Sequence, residues 1–407
     1  MSQSLTQIAQ SLKDSPKKVQ LIYAFNGVGK TRLSREFRLL IDPKDTTEEQ
    51  EEQEASSIKV MYYNAFTEDL FYWDNDLKAD TNRKLIIRPN NFTSLALGFL
   101  KDQGLDNNIV TNFQHYTSDS ITPLFNEEYT TQDDNGNEIV IKAYSEVTFS
   151  LATGDDSSDP NIKISKGEES NFIWCVYYSL IEQVVELLNI PELEDRATNI
   201  FNDLEYVFID DPVSSLDDSH LIELAVNIAE LIKSSQSELK FIITTHNPLF
   251  YNVLYNEFNN AKPSTGYKRK HSEKKRLEKL IDGTFLISNQ FDDSPFSYHL
   301  FLLKELEDVI ESGQIKKYHF NFLRNILEKT STFLGYSKWK DLLPEDTEGA
   351  RDAYYNRIIN LSSHSNHHGE EISIISENDK NVLGFLVNEI KTNYHFYSNN
   401  SSNNETV

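Results

Sequence analysis

The chain has 407 residues, 38% of them hydrophobic, which is enough for two or three domains with buried cores. Its formal net charge of −25 excludes bulk attraction to nucleic acid, so any RNA or DNA contact must use local basic patches. A single cysteine, Cys175, excludes an intrachain disulfide framework, no apolar run reaches membrane-spanning length, and no secretory signal opens the chain; a cytoplasmic protein without a membrane partner is expected.

Leu5 to Leu12 reads as a short helix and Val19 to Tyr23 as an apolar strand. Ala24-Phe25-Asn26-Gly27-Val28-Gly29-Lys30-Thr31-Arg32 follows, then a helical pattern from Leu33 to Leu40. Strand, glycine loop and helix in that order make a phosphate cradle. Gly27 and Gly29 let backbone N–H groups turn inward, Lys30 reaches the β/γ-phosphates, and Thr31 offers its hydroxyl to Mg²⁺. The usual first glycine of this loop is Ala24 here, still a small residue.

Asp45 to Glu54 is an acidic run, expected as a solvated insertion. Ile58 to Tyr63 is strand-like, and an apolar patch spans Phe66 to Trp73; Lys84 to Arg88 and Ser94 to Phe99 have no diagnostic pattern. Gln132 to Leu151 reads as β structure, with a hairpin signal at Asn135-Gly136. Ser170 to Leu188 is strongly helical and holds Cys175 as a buried, inert thiol. Tyr206 to Ile209 and Lys240 to Thr244 read as buried strands on either side of a helix, Ser219 to Ile232. Beyond Phe250 the β signals fade. Lys262 to Lys279 carries eight basic and two acidic residues and reads either as a charged linker or as a grip on RNA phosphates. From Tyr298 the pattern is mainly helical, up to a Ser/Asn-rich tail expected to be disordered.

Asp210-Asp211 closes the strand Tyr206 to Ile209. Asp210 is placed to hold Mg²⁺, and Asp211 to orient an attacking water. Pro212 to Asp217 follows, and His246 comes just after the next apolar strand. Upstream, Ile164-Ser165-Lys166-Gly167-Glu168-Glu169 precedes the long helix. This succession resembles an ABC-type ATPase head, with Ser214 to Asp217 as its D-loop and His246 as its switch histidine. The resemblance implies that Ser165 and Gly167 bind the γ-phosphate held by a second copy, so that two heads sandwich nucleotide and Mg²⁺. Asp211 is shorter than the usual Glu, so slow hydrolysis is expected. No clear Q-loop glutamine is present; Asn64 to Glu68 lies in the corresponding region. The interval between Thr31 and Ser165 lacks sustained heptads, so no coiled-coil arms are expected.

Tyr318 to Thr332 reads as a helix with Arg324 and Glu328 at i, i+4 on one face. Arg351 to Leu361 is a further helix carrying Arg357, followed by His364, His367 and His368. The histidine spacing does not suit a zinc site. Arg, Glu and His suffice for metal-free RNA cleavage: a base takes the 2′-OH proton, a guanidinium neutralises the phosphorane oxygens, and an acid protonates the leaving 5′-oxygen.

The chain resembles the bacterial anticodon nucleases of the PrrC type, through Lys18 to Gly27 running into Gly29 to Arg35, the missing arms, and Arg324-x₃-Glu328 followed by His364. That resemblance implies an ATPase head over residues 1–261, a helical tRNA-cutting domain over 262–397 and a tail over 398–407. It places the catalytic residues on Arg324, Glu328 and His364, with His367 and His368 as alternatives. Arg357-x₆-His364 also resembles the R-x₄₋₆-H motif of HEPN ribonucleases, which favours His364 and adds Arg357. Phe291 to Tyr298 resembles the family's anticodon-recognition segment, in which Asp292 or Asp293 would contact the modified wobble base of tRNA-Lys. The implied ligands are ATP or GTP with Mg²⁺, and dTTP as a stabiliser. The implied partners are tRNA, a second head with room for a higher oligomer, and a type I restriction–modification complex that keeps the nuclease latent until phage disables it. Two rivals are an SMC/RecF-like DNA-repair ATPase and an ATPase subunit of a multi-protein defence complex.

Overall fold

A computed structural model describes residues 2–396 except 44–57, 65–68, 76–80, 90, 105, 133–135, 154–157, 213–215, 217, 281, 291–297, 346 and 363–374. The chain divides into two compact units, Met1–Asp293 and Ser294–Val407.

In the first unit, α1 (Leu5–Asp14) leads to β1 (Val19–Tyr23) and α2 (Lys30–Ile41). Next come β2 (Val60–Tyr63), β3 (Phe71–Asp74) and β4 (Lys84–Ile87), then α3 (Asn91–Asp102) and α4 (Asp106–Tyr116). The strands β5 (Ile121–Phe125), β6 (Tyr129–Gln132), β7 (Glu138–Ile141), β8 (Glu146–Ala152) and β9 (Ser158–Asp159) precede the long α5 (Lys166–Leu188). Then follow β10 (Tyr206–Asp210), α6 (Asp218–Ser234), β11 (Lys240–Thr245), α7 (Pro248–Glu257), β12 (Ser272–Lys279) and β13 (Phe285–Asn289).

The main sheet has the order β13-β12-β1-β11-β10-β2. All its pairings are parallel except β12 with β13. Every residue of β1 and β10 is buried, as continuous apolar runs in a sheet covered on both faces require. Alternate residues part the core in two. Leu21, Val207, Ile209, Phe241 and Ile243 join one cluster with α5 and α6, while Ile22, Tyr206, Phe208 and Ile242 join Ile8, Leu33 and Phe37 of α1 and α2. The helix α5 is buried on almost all sides, Cys175 included, and burial pushes that thiol up from its ordinary value.

A second, antiparallel sheet has the order β3-β4-β8-β5, with β9 against β8. It receives the N-terminal turn of α5 through a Trp73 Nε1 hydrogen bond of 2.7 Å to Glu169. The pair β6–β7 confirms β structure on both sides of the expected hairpin, whose Asn135 lies outside the described residues. The two stretches without a sequence pattern are β4 and α3.

The expected domain border at 261/262 is corrected to 293/294. Residues 272–289 are strands of the head sheet: Ser272 to Arg276 pair with Val19 to Tyr23, and β13 closes the edge. Gln3 bridges to Phe285 through two backbone hydrogen bonds, so the N-terminal residues fasten β13 in place. The basic stretch is therefore not a free linker. Long Lys and Arg stems replace the expected apolar residues on β12, with Leu277 fully buried among them.

The second unit contains α8 (Tyr298–Ser312), α9 (Tyr318–Leu334), α10 (Ala350–Ser362) and α11 (Glu377–Asn393). Its own core joins Leu302, Leu306, Phe320, Leu323, Leu327, Ile358, Leu386 and Ile390. Residues 398–407, expected as a tail, lie outside the described residues.

Candidate nucleotide site and candidate nuclease site

The parallel strands β1, β10 and β11 all deliver their C-terminal ends to one place, as open α/β sheets do at a ligand crevice. The loop after β1 turns through Gly27 at φ +78 and Gly29 at φ +116. A Cβ at Gly27 would meet nothing within 4 Å, and one at Gly29 only ordinary contacts. Glycine is needed there for backbone conformation, not for space. Gly29 then forms the N-cap of α2, which begins at Lys30.

Lys30 is buried, and its ammonium meets Ala24 O at 3.4 Å, Asn26 Oδ1 at 3.2 Å and Asp211 Oδ2 at 3.0 Å. Thr31 Oγ1 donates to Asp210 Oδ2 at 2.7 Å, and Thr244 from the end of β11 donates to the other oxygen of Asp210. Asp211 takes the backbone N–H of His246 at 2.9 Å on one oxygen and meets His246 Nδ1 at 2.8 Å on the other. Asp211 also has φ +50, a left-handed conformation that Asp tolerates better than most residues. Five of the expected nucleotide-binding residues, Lys30, Thr31, Asp210, Asp211 and His246, thus form one hydrogen-bonded cluster, with Asn26 at its edge. Gly27 and Gly29 shape the loop, and Arg32 is exposed on α2.

The two adjacent carboxylates are tuned in opposite directions. Burial raises Asp210 above the usual carboxylate range and outweighs its hydrogen bonds from Thr244 and Thr31. Burial would raise Asp211 as well, but the His246 hydrogen bond and the Lys30 charge outweigh it and hold Asp211 low. The cluster fits a nucleotide with Mg²⁺: it offers a buried ammonium, a hydroxyl beside a carboxylate, and a glycine loop at a helix N-terminus.

Thr244 was not among the expected site residues. Its signal in the sequence is a polar residue closing an otherwise apolar strand. Asn64 is buried, and its Nδ2 donates to Ser34 Oγ at 2.9 Å, while Ser34 Oγ donates to Thr31 O at 2.8 Å. It braces the turn that carries Thr31; residues 65–68 of the Q-loop region lie outside the described residues.

Ser165 caps α5. Its Oγ accepts from Glu168 N at 3.3 Å, and its own N–H donates to Glu168 at 2.7 Å. Gly167 lies in the first turn of the same helix. Among the described residues, no hydrogen bond or ion pair joins Ser165 or Gly167 to the Lys30 cluster. Of the D-loop, residues 213–215 and 217 lie outside the described residues.

In the second unit, Arg324 Nε and Glu328 Oε1 meet at 2.8 Å on α9, with side chains 37% and 41% exposed. That accessibility leaves both able to meet a substrate, whereas as a surface ion pair alone they contribute only tenths of a kcal/mol, about 0.3–0.5 for such spacing. Arg357 on α10 is held across to α11: its Nε meets Asp379 Oδ1 at 2.6 Å, and the Asn378 amide, turned so that its oxygen faces the guanidinium, accepts from both of its terminal nitrogens. Burial would raise Asp379, but hydrogen bonds from Ser376 and the Arg357 charge hold it below the usual range. Asp379 and Asn378 were not foreseen; nothing in local spacing links them to Arg357. His364, His367, His368, Asp292 and Asp293 lie outside the described residues. Among the described residues, no group of three His, Cys, Asp or Glu could hold a metal, and no helix is long and apolar enough to cross a membrane.

A family model described as an AAA domain matches residues 140–391. An "Anticodon nuclease" of Escherichia coli is 46% identical over 425 aligned positions, covering 99% of this chain and 100% of that protein. Among solved structures, an Smc head domain with an extended coiled coil from Pyrococcus furiosus has a TM-score of 0.26 and 12% identity, over 53% of this chain and 41% of that one. An Smc head bound to the C-winged helix domain of ScpA has a TM-score of 0.30 and 11% identity, over 68% and 90%. At these TM-scores the likeness carries no weight.

Proposed function

The chain belongs to the anticodon nuclease family, and on that premise we propose that it is a nucleotide-regulated endoribonuclease that cuts a tRNA in its anticodon loop. The observation that carries this reading is 46% identity over nearly the whole chain to a protein of that name, joined to a head in which Thr31 meets Asp210, Lys30 and His246 meet Asp211, and Thr244 links the two sets.

In the head, the loop Asn26 to Thr31 would cradle the phosphates, Lys30 would lie against them, and Thr31 with Asp210 would hold Mg²⁺. The nucleotide is ATP or GTP, with dTTP as a stabilising ligand; it supplies charge that draws two heads together. Lys30 must leave Asp211 to serve as a phosphate ligand. That exchange frees Asp211 and His246 to position a water, and Asp211, held ionised, is suited to the task. Ser165, Gly167 and the residues after Asp211 would act across a head dimer. The longest described helix has 23 residues, which favours a head without arms.

In the second unit, we assign the cut to Arg324, Glu328 and His364. Glu328 or the imidazole takes the 2′-OH proton, Arg324 neutralises the phosphorane, and the other group protonates the 5′-oxygen. The product is a 2′,3′-cyclic phosphate, and no metal is needed. Arg357, aimed by Asp379 and Asn378, would bind substrate in a HEPN-like arrangement. tRNA-Lys is the substrate we favour, read by Asp292 or Asp293 as negative groups suited to a basic modified base. A type I restriction–modification complex would hold the enzyme latent as an anti-phage toxin. Incubation of purified protein with total tRNA and nucleotide tests the reading. Glu328→Ala should abolish cutting while nucleotide binding persists; wild-type cutting by that variant sinks the site assignment.

A further inference from the structure

The basic stretch that sequence could not place builds a cleft of about 500 Å³ in the head, framed by Tyr255, Asn259, Arg269, Lys270, Ser272 and Lys274. Lys274 is 9% exposed. Its ammonium donates to Asn259 Oδ1 and Ser272 Oγ, both at 2.7 Å, and lies 5.1 Å from the Tyr255 ring centroid. All these partners are neutral. Its charged neighbours are Arg269 and Lys17, which add to burial in lowering its pKa to about 8. Among the described residues, no carboxylate pairs with Lys274, Arg269 or Lys270. Glu273, the nearest acid in sequence, is engaged by Lys275 and Ser15 instead. Among the described residues Lys274 is thus a buried charge without a counter-charge, which is costly unless an anion joins it, and Arg269 and Lys270 stand exposed beside it.

The cleft is separate from the nucleotide cluster. Ser272 stands beside Val19 at the start of β1 and Lys274 beside Leu21 at its middle, whereas the glycine loop follows Tyr23 at its end. Four residue steps, about 13 Å, separate Ser272's neighbour from the loop, and two steps, about 7 Å, separate Lys274's. Gln290, whose N–H donates to Lys274 O at 2.9 Å, immediately precedes in sequence the segment expected to read the anticodon base.

We propose that Arg269, Lys270 and Lys274 form a seat for a backbone phosphate of the tRNA substrate, supplying register and affinity but no base specificity. This deepens, and rests on, the nuclease reading above. Anisotropy of labelled tRNA titrated with the full-length chain across a salt series tests it. Arg269→Gln with Lys270→Gln should weaken binding on the order of tenfold and lower the salt slope by about two. Lys274→Met should weaken binding as well, yet raise the thermal midpoint of the free protein by removing an unpaired buried charge. Unchanged affinity and slope in both folded variants overturn the seat. So does a variant that loses a response to inorganic phosphate while its tRNA affinity holds, which assigns the cleft to a free anion. A wild-type chain that binds tRNA through these residues without cutting it upholds the seat and removes the nuclease reading instead.

Discussion

The two units gather their charged residues in different ways. In the head, Lys30, Asp210 and His246 are far apart in sequence and meet because three parallel strands end together. In the helical unit, Arg324 and Glu328 meet within one turn of α9, and Arg357 is fixed by its neighbour helix. A sheet crevice is built by topology, so its residues are wholly or partly buried and paired with one another before any ligand arrives. A pair on a helix surface is local, exposed and inexpensive to separate, which suits the roles proposed for it, Glu328 moving a proton and Arg324 neutralising charge on a large polymer.

The contrast breaks most severely at the helical pair. Arg324→Ala should lower tRNA cutting on the order of 10³-fold, the size of a lost transition-state partner, with nucleotide affinity and thermal midpoint nearly unchanged. Quantitative gel assays of cleaved tRNA read this directly. Lys30→Ala should lower nucleotide binding or hydrolysis on the order of 10²-fold, while leaving Arg324 and Glu328 intact. It also leaves Asp211 with His246 alone, so the carboxyl should titrate higher. Asp379→Ala frees Arg357 and should raise KM for tRNA roughly tenfold, about one charged hydrogen bond, with a smaller change in kcat. Ser165→Ala should cost about 1 kcal/mol of stability through the lost cap; a fall in hydrolysis beyond that loss would sharpen the case for a role across a head dimer.

The smallest effect is on pH dependence. Burial lowers Lys18 to about 8 against a weaker opposing effect of Glu238, and Lys274 to about 8 with help from its cationic neighbours. Both ordinary values are 10.5, so between about 8 and 10.5 the unfolded chain binds more protons than the folded one. Stability contributed by these two sites therefore rises with pH across that window, on the order of 1 kcal/mol each once the full shift of about 3 kcal/mol is discounted for partial solvent exposure. Chemical denaturation of wild type and Lys274→Met should show their difference shrinking from pH 8 to 10.5.

The head was legible because its central strands are unbroken apolar runs and its glycine loop has a fixed chemistry. The strand β12, one in from the edge, was not: Ser-Glu-Lys-Lys-Arg-Leu-Glu-Lys reads as a charged linker, and its burial rests on Leu277, long aliphatic stems and Tyr255 instead of an apolar run. That misreading moved the domain border by about one hairpin. At the site, the carboxylates and His246 were readable from strand-end positions, but Thr244 was read only as part of a strand end. Arg324 and Glu328 were visible as an i, i+4 pair because both partners share one helix. The tie from Arg357 to Asp379 was invisible because it depends on how two helices pack, which no local pattern encodes.

The most direct test is to incubate wild-type chain with total tRNA, with and without ATP or GTP plus Mg²⁺, and to map every break. One break is expected in an anticodon loop, ending in a 2′,3′-cyclic phosphate, at a rate that changes on the order of tenfold with nucleotide. Intact tRNA under all conditions, or cutting at a rate indifferent to nucleotide, would contradict that expectation.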